Sequence, residues 1–112
     1  MSWEPITRVE LDGLLAEEMP TLDAEAQRVY DRFRIEPEIV YRIFKRNPSE
    51  PVPSFAVARS GSTVVYYDDI EEEWGTAEIA PNGHVYEWGT WGDLLRQALR
   101  NFPVPEALRQ VQ

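Results

Sequence analysis

Apolar residues recur at three- and four-residue spacing between Thr7 and Met19, where Val9, Leu11, Leu14 and Leu15 form one stripe before Pro20 interrupts it. That period predicts a short amphipathic helix. The pattern restarts in "TLDAEAQRVYDRF", where Leu22, Ala26, Val29, Tyr30 and Phe33 share a face and Glu25 lies in the first turn. Either Thr21 or Asp23 supplies the cap. Both helices read as covers for a sheet.

After Pro37 the period falls to two. "EIVYRIFKRN" alternates Ile39, Tyr41 and Ile43 against Val40, Arg42 and Phe44 and is rich in branched and aromatic residues, so it predicts a strand. "NPSEPVPS", with three prolines in eight residues, predicts a loop. "SFAVAR" and "TVVYY" follow as strands joined by the tight connection "SGS", and "GTAEIA" and "HVYEW" form a further hairpin around Asn82-Gly83. "GTWGDLLRQALRNF" returns to helical spacing with Leu94, Leu95, Ala98, Leu99 and Phe102 on one stripe, and Pro103 ends it. The expected architecture is a single α+β domain over residues 1–112: two N-terminal helices, an antiparallel meander of about five strands, and a C-terminal helix packed on one sheet face. The other face is expected to be partly free.

Charge changes this picture because it is concentrated. The net charge is -9, and residues 60–90 hold seven acids with no Lys or Arg. Five of the seven, Asp68, Asp69, Glu71, Glu72 and Glu73, fall within six positions, directly after Tyr66-Tyr67 and directly before Trp74. Such a surface repels nucleic acid and anionic membrane and steers towards basic partners. Arg42, Lys45 and Arg46 form too small a basic patch to reverse that, so neither nucleic acid nor membrane is an expected partner. The chain has no cysteine, no secretory leader pattern and no long apolar run, which fits a cytoplasmic protein of bacterial type.

Catalytic patterns are absent. Ser60 and Ser62 sit in a turn without a G-x-S-x-G context, and neither "GSTVV" nor "GTWGD" has the spacing of a phosphate loop. "DDIEEE" lacks the alternating ligand spacing and mid-loop glycine of a calcium loop, so no metal or cofactor is expected. His84 is the only histidine and follows a turn glycine. The reading is therefore of a non-enzyme. The alternative is a small enzyme or metal-dependent regulator that gathers Glu78, His84 and Glu87 beside the acidic stretch.

Two readings of the aromatics stay open. Tyr66 and Tyr67 are consecutive in a strand, so one sheet face cannot take both, and Tyr86, Trp88 and Trp91 raise the same question. Cross-strand aromatic packing with solvated acids is one answer. The other is an interface in which aromatic anchors are flanked by charges that set encounter rate and partner choice.

The stretch "VVYYDDIEEEWGTAEIAPNGHVYEWGTWGDLLRQAL" resembles small acidic bacterial proteins and, more loosely, immunity proteins that neutralise polymorphic or contact-dependent toxins. The resemblance spans roughly residues 55–100 and is one of pattern. It implies a cysteine-poor cytosolic protein that masks a basic, possibly nuclease, toxin. Candidate partner-binding residues, chosen from charge and aromaticity, are Tyr67, Asp68, Asp69, Glu71, Glu72, Glu73, Trp74 and Trp88. The expected state is a monomer, or a homodimer formed by strand addition at a free sheet edge.

Overall fold

A computed structural model describes residues 4–44, 47–87, 92–100 and 102. Helix α1 covers Arg8–Glu18 and α2 covers Ala24–Phe33, with a 3-10 turn, Met19–Thr21, between them. A reciprocal capping box opens α1. The Glu10 N–H donates to the Thr7 hydroxyl at 3.1 Å, and the Thr7 N–H donates to the Glu10 carboxylate at 2.9 Å. Asp23 caps α2 by accepting the Ala26 N–H at 2.8 Å. Thr21, the other candidate cap, instead donates its hydroxyl to the Glu18 carbonyl.

Five strands follow: β1 (Arg34–Phe44), β2 (Asn47–Ser60), β3 (Thr63–Asp68), β4 (Glu73–Ile79) and β5 (His84–Glu87). Neighbours in sequence pair antiparallel, as the meander requires. The sheet does not stay open. β5 returns beside β1 in parallel, with Tyr41 opposite His84 and Arg42 opposite Val85, so the five strands close into a barrel. An odd number of strands in a closed meander must end in one parallel pair.

The proline-rich stretch is a second departure from the expected pattern. It forms the first half of β2 rather than a loop. Only from Phe55 onward does β2 pair with β3, whereas Val52, Pro53 and Ser54 pair with β1 alone. One side of that half-strand is an edge, where residues lacking an N–H are tolerated.

Closure gives the barrel wall a core on each side. Val40, Ala56, Val64, Tyr66, Ala77, Ile79 and Val85 fill the inside. Outside, Val57, Ala58, Val65, Tyr67 and Trp74 are covered by Leu11 of α1, Ala26 and Tyr30 of α2, and Leu95, Ala98 and Leu99 of α3 (Leu95–Arg100). A register slip between Ala56 and Ala58 gives both Val57 and Ala58 to the outer core. Tyr66 and Tyr67 are thus both buried, one on each side of the wall. The helices are tied at their ends as well. Glu18 of α1 accepts the Leu95 N–H at the start of α3 at 2.7 Å, and Phe33 meets Phe102 edge-on at 5.5 Å. The described part of the C-terminal helix is shorter than the helical stretch read from the sequence, and Trp88, Trp91 and Pro103 lie outside the described residues.

Candidate functional site

The acidic stretch is the β3–β4 connection, and its first two carboxylates are occupied within the chain. Strand alternation places Arg42 on the same face of β1 as Val40, so its side chain enters the barrel and is fully buried. Its guanidinium meets Asp68 at 2.7 Å and Asp69 at 3.3 Å. The same Asp68 oxygen accepts the N–H groups of Ile70 (2.9 Å) and Glu71 (3.0 Å), folding the chain into an Asx turn. Glu72 completes the turn in the left-handed region at φ 59°. Asp69 turns its other oxygen to the Ile6 N–H at 2.7 Å. The segment leading into α1 is thereby pinned to the acidic turn.

Burial raises the Asp69 carboxyl above its ordinary value of 3.8, outweighing the lowering by the Ile6 N–H and Arg42. A carboxyl raised in the folded state binds its proton more tightly than in the unfolded chain. Its stabilising contribution is fully present below pH 3.8 and is lost as pH rises through the raised folded value. Asp69→Asn keeps an acceptor for Ile6 but does not titrate. Urea melts across this window should show wild type losing stability relative to the Asn variant, and then running parallel to it at higher pH. Parallel curves throughout would mean that Asp69 titrates as it does in the unfolded chain.

Pinning the N-terminal segment creates a groove beside the turn. It is an open depression of about 470 Å³ lined by Glu4, Ile6, Glu10, Gly13, Leu14, Glu17, Tyr67, Asp69 and Glu72. Five of these carry carboxylates, and no Lys or Arg is among them. Glu10, Gly13, Leu14 and Glu17 occupy one face of α1 at offsets of three, four and seven residues. The Tyr67 phenol senses the charge: burial, and then the carboxylates of Glu72, Asp69, Asp68 and Glu18, push its pKa up to about 12. Gly13 is exposed in mid-helix, and a Cβ there would meet nothing within 4 Å. No contact among the described residues calls for glycine, although glycine costs a helix interior about 1 kcal/mol relative to alanine.

The residues selected from the sequence therefore divide into groups. Glu71 and Glu72 are exposed and Glu73 is half-buried, so these three are available to a partner. Asp68 and Asp69 instead hold Arg42 and the turn together. Tyr67 and Trp74 pack ring to ring at 4.8 Å and are desolvated by the chain's own helices. In the free chain neither ring is exposed, because the outer face of β3 and β4 is a core surface. Trp88 lies outside the described residues. Arg42, weighed with Lys45 and Arg46 as a basic patch, is inside the barrel.

The sequence reading passed over the groove face of α1 and Ile70, which is 44% exposed at the tip of the acidic turn. The signal for the first was the spacing of Glu10, Gly13, Leu14 and Glu17. For the second it was an apolar residue placed among five acids.

Of the alternative acid and histidine set, Glu78 accepts hydrogen bonds from the hydroxyls of Ser62 (2.7 Å) and Thr63 (3.1 Å). His84 lies against Asn82 and Tyr41. Among the described residues no group of three or more His, Asp or Glu could hold a metal ion, and no helix is long and apolar enough to cross a membrane. No family model, curated protein or solved structure matches this chain.

Proposed function

We propose that the protein is a cytoplasmic binding module that captures a basic protein partner, acting as an immunity-type protein that masks a cognate toxin. The observation that carries this reading is the groove between α1 and the acidic turn, whose lining has five carboxylates and no basic residue, continued by exposed Glu71. With Asp68 and Asp69 neutralised in part by Arg42, the charge left to act on a partner belongs to Glu71, Glu72, Glu73 and the α1 glutamates. Such charges raise association rates and reject acidic competitors. Barrel closure favours a monomer. Over Val52–Ser54, where β2 pairs with β1 and not with β3, Pro53 lacks an N–H for strand addition.

The test uses wild type and a Glu71→Lys, Glu72→Lys, Glu73→Lys variant as bait in extract of the native host. Asp68 and Asp69 stay unchanged so that the fold is untouched. Wild type should retain a basic protein that is released as salt rises, whose expression alone halts growth and whose toxicity is suppressed by co-expression of wild type. The variant should associate at least about tenfold more slowly. A retained partner that binds both chains at the same rate, with the same salt dependence, would remove the acidic surface from the function.

A further inference from the structure

We infer that the groove along α1 seats an extended cationic segment of the partner, with one apolar side chain against Ile6, Leu14 and Tyr67 and its backbone running along α1 past Gly13. This rests on the basic-partner reading and specifies its site. Three observations converge. The apolar part of the lining is Ile6, Leu14 and the mostly buried Tyr67. The rest of the lining is largely anionic: Glu10 and Glu17 lie three residues before and four residues after Gly13 on α1, and Glu72 belongs to the acidic turn. Gly13 itself is exposed, and among the described residues nothing lies within 4 Å of where its Cβ would be.

A glycine that weakens its helix without easing any internal contact is accounted for if a backbone from outside lies against it. The spacing defines the occupant. Glu10 and Glu17 are about 10 Å apart along the helix axis. In an extended peptide the side chains at i, i+2 and i+4 point the same way and span about 13 Å. A basic residue, an apolar residue and a second basic residue at those positions place the apolar group over Tyr67 and Leu14, with each cation beside a glutamate. Asp69 is not needed for this contact, since it already holds Arg42 and Ile6.

The probe is a fluorescein-labelled synthetic peptide with a Lys-Ser-Leu-Ser-Lys core, followed by fluorescence anisotropy against the full chain. Control peptides replace Leu by Ser, or both Lys by Glu. The chains compared are wild type, Gly13→Ala, Gly13→Gln, and Glu10→Gln with Glu17→Gln; glutamine at position 10 preserves the capping box. The Lys-Leu peptide should bind wild type more tightly than either control. Gly13→Ala and Gly13→Gln should both raise the melting temperature, because both residues favour helix. Gly13→Gln should nevertheless weaken peptide binding by about tenfold or more, since its side chain occupies the space that glycine leaves open. The double glutamine chain should bind weakly and lose most of its salt dependence.

A Gly13→Gln chain that melts higher and binds the peptide as wild type does would overturn the groove assignment, as would equal binding of all three peptides. If in that case the Glu71–Glu73 lysine variant still loses the native partner, the basic-partner reading stands and only the seat is wrong. If the peptide binds through Gly13 while the native partner ignores the acidic turn, the groove stands and the toxin-masking reading falls.

Discussion

Replacing Arg42 with leucine is expected to destabilise the fold by about 3–5 kcal/mol, because it strands two carboxylates against the barrel wall. The side chains of Asp68 and Asp69 are only 8% and 6% exposed, so water cannot replace the guanidinium. A domain of this size is stable by about 5–15 kcal/mol, so the loss would remove a large share of it. In urea the midpoint should fall while the slope stays constant, which marks a loss of stability rather than a change in the unfolded state. Asp68→Asn and Asp69→Asn introduced together into the Arg42→Leu chain should recover much of the loss, since a set with every charge removed is far less costly than one left unpaired. The recovery is the discriminating part. If the double asparagine change added to the damage instead, the two carboxylates would be stabilising the turn as anions independently of Arg42.

The elements legible in the sequence were those whose signal is local. The apolar spacing from Val9 to Leu15 and from Ala26 to Phe33 marks the two N-terminal helices, and Gly83 at φ 88° satisfies the turn that Asn82-Gly83 announced. Closure was not legible, since it depends on residues 41 and 42 meeting 84 and 85, and nothing in either segment specifies a partner so far away. Reading one covered face led to the conclusion that Tyr66 and Tyr67 could not both face the core. A wall with a core on each side removes that conflict, and it also allows β3 to be buried along its whole length. Arg42 was misread for the same reason: a basic residue on an alternating strand looks solvent-facing unless the polar side of the sheet is turned inward. Its counter-charges were visible as acids, but their pairing with a residue 26 or more positions away was not. The groove combines two segments, one of which the sequence presented only as a helix that covers a sheet.

Truncating Trp74 to alanine is expected to cost the free protein about 3–5 kcal/mol, as large aromatic deletions in a packed core do. Trp74 is 1% exposed, lies at 4.8 Å from the Tyr67 ring and shares its cluster with Leu95 and Leu99 of α3. Its backbone exchanges two hydrogen bonds with Gly92, at 2.9 and 3.1 Å, which brings the lead into α3 against β4. The cavity would therefore open where strand and helix meet, and α3 cannot fill it without giving up that backbone pair. Trp74→Phe keeps a ring against Tyr67 and should lose a much smaller share of stability. The measurement is urea unfolding of the isolated chain, which separates the two readings of the aromatics that the sequence left open. An interface anchor, exposed in the free protein, could be truncated with little change in the melt and a large drop in partner affinity. Cement between strand and helix must show its cost with no partner present, and would affect the groove only through Tyr67, which is among its lining residues. A Trp74→Ala chain as stable as wild type would place this tryptophan back among the contact residues.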